Sequence, residues 1–406
     1  VYRLVTEAGD EIIATADHPF WTPDGMVELC HLSTGDLVAC YPFEGVPYET
    51  PPSKVIVSET DIEELLRSLG KGKRGHAASQ ILAQLHKRGL LPLRANSPQM
   101  PHLLKLLGYV LGDGSIYFTG GSGKGVTWFY GNADDLEGIR ADVMAVGFTP
   151  SRVYSRTRQH HITTNYGDYQ FEHEETSFKV MGSAFAILLA ALGAPIGAKA
   201  SQDYTLPDWL FGLPRWQQRL FLAAHFGAEL STPSAFPERN LNFQMPILSL
   251  NKREGYVQSG QVFLAGLSQL LTGFGVETKT ISQRQEQTNP DGSVSHRLRL
   301  VLSSRAESLL ALWGRVGFEY NRQRRVLANV AVQYLKRKTQ VVEVREEVAA
   351  LAVEMQAAGV TPQNIYADLT GQHVNRRFLE RSLYSGRRSG VRVGASFETF
   401  DEYRAE

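Results

Sequence analysis

The chain has 406 residues, 43% hydrophobic and 21% charged, with 42 basic residues balanced by 42 acidic ones for a formal net charge of zero. That is the balance of an ordinary soluble chain of about two to four globular domains, and it excludes bulk coating of nucleic acid by charge. No apolar run approaches the roughly 20 residues of a membrane helix, and the two cysteines, Cys30 and Cys40, have neither metal-ligand nor disulfide spacing, which fits a reducing, cytoplasmic setting.

The sequence begins at Val1 without an initiator Met and inside an expected strand, as a fragment does. Residues 1–46 read as short strands: Val1–Val5 alternates, Ala8-Gly9-Asp10 turns, Glu11–Thr15 resumes, and Pro23-Asp24-Gly25 turns again. Within that stretch lie Thr15-Ala16-Asp17-His18 and, downstream, Leu32-Ser33-Thr34-Gly35-Asp36-Leu37. Pro42 to Pro52 reads as a linker. Residues 60–92 read as two short helices joined by the basic Lys71-Gly72-Lys73-Arg74.

Two longer stretches, 101–210 and 214–338, each open with an apolar helix ending in an acid, a weak internal duplication. The first helix contains Leu106-Leu107-Gly108-Tyr109-Val110-Leu111-Gly112-Asp113-Gly114. Gly108 and Gly112 are four apart and share one helix face. Glycine costs about 1 kcal/mol inside a helix, so the pair predicts close approach of another backbone. Asp113 then stands at a helix C-terminus, where it opposes the dipole and where a cation offsets the penalty. The second helix contains Leu222-Ala223-Ala224-His225-Phe226-Gly227-Ala228-Glu229-Leu230, with Ala224 and Ala228 on the small face and Glu229 in the place of the acid. Packing of the two small faces sets both acids side by side. Such oxygen ligands suit Mg2+ or Mn2+, which clamp the oxygens of a phosphodiester displacement.

Further basic residues follow the duplication. Lys199 comes after Gly193-Ala194-Pro195-Ile196, and Lys252 lies in Ser249-Leu250-Asn251-Lys252-Arg253; by itself each reads as a plain surface charge. Arg152, Arg156 and Arg158 in the first half, and Arg284, Arg297 and Arg299 in the second, lie on strand-like stretches. Residues two apart share a sheet face there, and arginine suits phosphate and guanine. His160 and His161 are adjacent, face opposite sides and read as polar surface. Residues 339–385 read as helical, with Thr361-Pro362 starting a helix. The last helix and its exit carry Arg376, Arg377, Arg381, Arg387, Arg388 and Arg392, a helix-turn-helix-like pattern able to enter a major groove.

The two acid helices resemble the paired motifs of single-chain LAGLIDADG homing endonucleases, with Asp113 and Glu229 at the metal-binding position. The second copy departs twice, at Gly227 in place of the usual acid and at Leu230 in place of the last glycine. The segment around Lys199 resembles the one that carries an active-site lysine in intein endonucleases, where such a cation would orient water or stabilise charge on the phosphate, and Lys252 is the corresponding candidate in the second half. The Thr15–His18 block resembles the Thr-x-x-His block of intein splicing domains, in which His18 would donate a proton to the scissile amide and Thr15 would help hold it. The splice-junction residues themselves, an N-terminal Cys or Ser and a terminal His-Asn, are absent from this chain, which therefore does not splice as given.

The resemblance implies a partial all-β Hint splicing domain (1–46) and two αββαββα halves (101–210 and 214–338); local pattern adds a helical linker region (47–100) and a helical DNA-binding module (339–406), for an α+β multidomain fold. The resemblance also implies a monomeric, Mg2+- or Mn2+-dependent DNA endonuclease within an intein, acting on a double-stranded target and flanked by host exteins. The alternative is a catalytically inactive LAGLIDADG DNA-binding protein or transcription regulator, which need not keep both acids.

Overall fold

The computed structural model describes residues 1–70, 76–120, 123–164, 167–237, 241–289, 291–371, 373–384 and 391–405. The chain divides into two compact units that interleave in sequence. One comprises Val1–Phe43, Ser234–Phe243 and Asn329–Glu406, the other Glu44–Pro233 and Gln244–Ala328.

In the first unit, Tyr2–Val5 pairs antiparallel with Glu11–Ala14, and Pro19–Thr22 pairs with Gly25–Glu28. Both turns use a glycine at positive φ, Gly9 at 82° and Gly25 at 110°, a conformation that costs a residue with a Cβ. These hairpins bury little of themselves: Ile13 and Trp21 are each 64% exposed. The core of this unit is aromatic. Phe243 packs on Phe400 at 4.7 Å between ring centroids and on Tyr334 at 5.9 Å, and Tyr334 OH donates to Glu398 O at 3.0 Å. A second cluster of Ala352, Ile365, Val374 and Leu379 packs the short helices Pro362–Leu369 and Arg376–Tyr384 against the long helix Arg322–Ala357. That helix holds no Gly or Pro for 36 residues, so nothing in its backbone ends it. The boundary expected at 338/339 falls inside it.

In the second unit, Glu59–Ser68 and His76–Lys87 form helices, the first closed by a Ser58–Asp61 capping box. The connection Lys71–Arg74 lies outside the described residues. From Met100 to Ala191 the order is helix, strand, strand, helix, strand, strand, helix; from Arg215 to Leu310 it is helix, strand, helix, strand, strand, helix. The strands of the first run form one antiparallel sheet in the order Gly114–Phe118, Gly125–Tyr130, Gly167–Met181, Tyr154–Thr164. Those of the second run form another, in the order Ile247–Arg253, Val294–Leu302, Thr278–Thr288. Phe129 and Phe178 are buried on the first sheet, and Leu298 and Leu300 on the second, each sheet burying one face at a period of two. No described helix is long and apolar enough to cross a membrane.

Candidate active site at the paired helix ends

Met100–Leu111 and Arg215–Glu229 pack through their small residues. A Cβ placed on Gly108 would lie 2.3 Å from Phe221 O, and one on Gly112 would lie 2.6 Å from Ala228 Cβ and 3.5 Å from Glu229 Oε1. The helices therefore touch backbone to backbone, and the Glu229 carboxylate adjoins the residue before Asp113. His225 is buried in this seam with Nδ1 3.1 Å from Gly108 O. Burial pushes its imidazole down to about 4, so the ring is neutral and Nδ1–H donates. The two departures in the second helix also have packing reasons. Gly227 has no room for a side chain, because a Cβ there would stand 1.9 Å from Glu319 O. Leu230 leaves the helix in an extended conformation, is fully buried and bridges to Leu248.

Each helix end is held by a cation. Lys199 Nζ donates to Val110 O at 2.9 Å, to Leu111 O at 3.2 Å and to Gly112 O. Arg324 Nη1 donates to Phe226 O at 3.2 Å, Gly227 O at 2.8 Å and Ala228 O at 3.1 Å. In both cases the acceptors are the three carbonyls that precede the acid, the orphan groups of a helix C-terminus. Lys252 is fully buried and donates to Lys199 O at 3.0 Å and Gln202 O at 2.7 Å, with its ammonium 3.9 Å over the Tyr204 ring. Lys252 thus braces the loop that presents Lys199.

Burial pushes Glu229 up to about 7, the Asp113 charge adds to the rise, and Lys199 and Arg324 pull against it. Asp113 keeps solvent access, yet the protein crowded around it raises its carboxyl above the usual range, against the pull of Lys199 and Arg324. Burial pushes both Lys199 and Lys252 down to about 8, opposed by Glu229 and Asp113 for the first and by Asp203 for the second. Two under-solvated carboxylates side by side titrate as a pair, and a cation between them relieves what burial and mutual repulsion cost.

The other candidate residues are placed elsewhere. Arg156 and Arg158 pair with Glu175 at 2.5 and 3.6 Å, and Arg284 and Arg297 pair with Glu286 at 3.2 and 2.6 Å. Arg152 is exposed, and Arg299 lies opposite Ser282 on the partly covered face. The aromatic members of the first sheet escaped the sequence reading. Trp128 stacks on Tyr130 at 6.0 Å and donates to Tyr117 OH at 2.9 Å, with Lys179 5.2 Å over its ring. Alternation of Tyr and Trp in strands was the available signal. Thr15 and His18 flank an exposed turn in which His18 N donates to Thr15 O at 3.2 Å. Glu28, Cys30 and His31 come together beyond it, with ligand atoms within 4.8 Å of one another, on the exposed surface. Arg376 pairs with Glu380 at 2.9 Å, while Arg377 and Arg381 are exposed. Arg387 and Arg388 lie outside the described residues.

No protein-family model matches the chain. The tRNA-splicing ligase RtcB of Methanocaldococcus jannaschii is 34% identical over 409 residues, 99% of this chain and 40% of that protein. Four further proteins of the same name align at 29–33% identity. The DNA-directed RNA polymerase subunit Rpo1N of M. jannaschii is 30% identical over 341 residues, 83% of this chain and 24% of that protein. The chain spans at most 40% of the length of each of these relatives. Among solved structures, the homing endonuclease I-WcaI bound to its DNA recognition sequence aligns at a TM-score of 0.32 and 14% identity, over 56% of this chain and 90% of that one. A likeness at that level carries no argument.

These names correct the functional expectation drawn from the resemblance. An intein housing a DNA homing endonuclease, with a double-stranded DNA target and flanking exteins, is set against five relatives named for tRNA splicing and ligation. The alternative of an inactive DNA-binding protein or transcription regulator meets the same names. The physical reason is that a nine-residue helix motif constrains packing and end charge; it does not specify the nucleic acid or the reaction run upon it.

Proposed function

We propose that the paired helix ends form a divalent-metal centre for phosphoryl-transfer chemistry on a nucleic-acid backbone, with Asp113 and Glu229 as ligands to Mg2+ or Mn2+. One arrangement carries the reading: two acids at the ends of two helices in backbone contact, with a cation holding each end. Two carboxylates without a sulfur or imidazole donor between them are a hard oxygen set, which fits these ions. A bound ion supplies Lewis-acid stabilisation of charge on phosphate oxygens. The helix pairing and the strand runs that follow each helix support two related halves, the hairpins within Tyr2–Glu28 a strand-rich N-terminal region, and the packing of the short helices on the long one a C-terminal helical module.

The names of the relatives put RNA first among substrates to be tried. The same segment also aligns with a polymerase subunit and fills less than half of each protein, so its own function is read from its own residues. Titration calorimetry with Mn2+ tests the metal. Binding by the native chain that drops at least tenfold in Asp113→Asn and in Glu229→Gln is expected. Incubation of native chain and variants with labelled structured RNA and labelled duplex DNA, with and without Mg2+, tests the chemistry. No Mn2+ binding, or acid variants that process nucleic acid as the native chain does, sinks the proposal.

A further inference from the structure

Three carbonyls precede Asp113 and three precede Glu229, and a different cation occupies each set. The two cations are not used alike. Lys199 has three N–H donors, and the carbonyls of Val110, Leu111 and Gly112 take all three. Lys252 is likewise committed to two carbonyls and a ring face. Arg324 caps its helix with Nη1 alone. Its Nε and Nη2 donate to no group among the described residues, and the side chain is only half-buried. An arginine fork presents these remaining donors in one plane, a match to two oxygens of a phosphate.

The backbone that carries Arg324 is held firmly. Tyr320 adopts φ 56°, unfavourable for a residue with a Cβ. Its hydroxyl donates to Asp142, which also accepts from Lys105 Nζ at 2.6 Å and contacts His102 Nδ1 at 2.5 Å. Asn321 Nδ2 then donates to Gly227 O at 3.0 Å, and Arg324 N donates to Asn321 Oδ1 at 3.0 Å. Glu319 N adds a bond to Ala223 O at 2.9 Å. So much fixing exceeds what a helix cap alone asks for, and it sets the guanidinium in place before any ligand arrives.

We infer that Arg324, rather than either buried lysine, is the residue at the acid pair that contacts the phosphate, offering Nε and Nη2 to non-bridging oxygens of the backbone being processed. The inference rests on the phosphoryl-transfer reading above. Two substitutions separate capping from phosphate contact. Arg324→Lys can cap the three carbonyls as Lys199 does, but has no second nitrogen to offer; Arg324→Gln loses the charge altogether. In both variants turnover is expected to fall about 10²-fold, the usual effect of losing one donor to developing charge. The slope of log affinity against log salt is expected to fall by about one in Arg324→Gln, while Mn2+ still binds with native stoichiometry. Full activity in Arg324→Lys makes Arg324 a cap only and overturns the inference. Native activity and salt slope in Arg324→Gln, alongside a dead Asp113→Asn, overturn it too and leave the metal-centre reading standing. Absence of any Asp113-dependent turnover in the native chain removes both.

Discussion

Glu229 couples the site to pH. Its carboxyl titrates near about 7 in the folded chain, against 4.5 when unperturbed. The native state therefore holds a proton that the unfolded chain has released between those values, and stability falls as pH rises through that window. With metal chelated, Glu229→Gln is expected to match or trail the native chain in urea midpoint at pH 4 and to exceed it at pH 8. Equal differences at both pH values rule this out. Ionisation also gates the metal: Mn2+ affinity is expected to climb as pH passes about 7. In Lys199→Met that climb moves to higher pH, because one of the two positive charges that favour ionised Glu229 is gone. A rise at the same pH in native chain and variant counts against Lys199 as an electrostatic partner of the acids.

At the scale of elements, the seam between the two acid helices admits no added atoms. Gly108→Ala would gain helix propensity of about 1 kcal/mol, yet its Cβ meets the backbone carbonyl of Phe221, which no rotamer change can move. A net loss of about 1–3 kcal/mol is expected from the overpacking, read as a lowered urea midpoint at constant slope. Gly227→Ala should cost at least as much, against Glu319 O. An unchanged midpoint in Gly108→Ala would show that the helices can separate. The close approach was legible in the sequence from Gly108 and Gly112 at four-residue spacing. The role of Gly227 was not, because the backbone it touches lies 92 positions away (319 − 227). Arg324 was hidden in the same way, 95 positions beyond Glu229 (324 − 229) in a stretch rich in arginine. Burial likewise hid the use of Lys252, whose partners are backbone carbonyls of a loop that no side-chain pattern marks.

At the scale of the whole molecule, the units differ in how much apolar surface they cover. The hairpins of residues 1–43 leave Ile13, Trp21 and Met26 outward, whereas the helices at the acid pair are almost wholly buried. Native-state hydrogen exchange is expected to be fastest in Tyr2–Glu28 and slowest in Met100–Leu111 and Arg215–Glu229; equal protection would contradict it. The arginines on the sheets are mostly matched by Glu175 and Glu286, so sheet charge alone gives a shallow salt dependence. Arg377 and Arg381 are exposed and make no ion pair among the described residues. If the C-terminal helix lies on a nucleic acid, changing both to Gln is expected to lower the log–log salt slope by about two. An unchanged slope places the bound strand elsewhere.

The sequence by itself determined the local events: which stretches turn at glycine, which two helices carry small faces, and where each ends in an acid. Periodicity and capping are properties of a few adjacent residues, and so they survive in one dimension. Tertiary structure alone decided what surrounds those acids. Their raised carboxyls, the lysine consumed by three carbonyls and the arginine left with free donors all depend on atoms far apart in the chain. Short-range pattern does not encode desolvation or the direction of a guanidinium. For the same reason a motif that locates two carboxylates does not name the nucleic acid they meet.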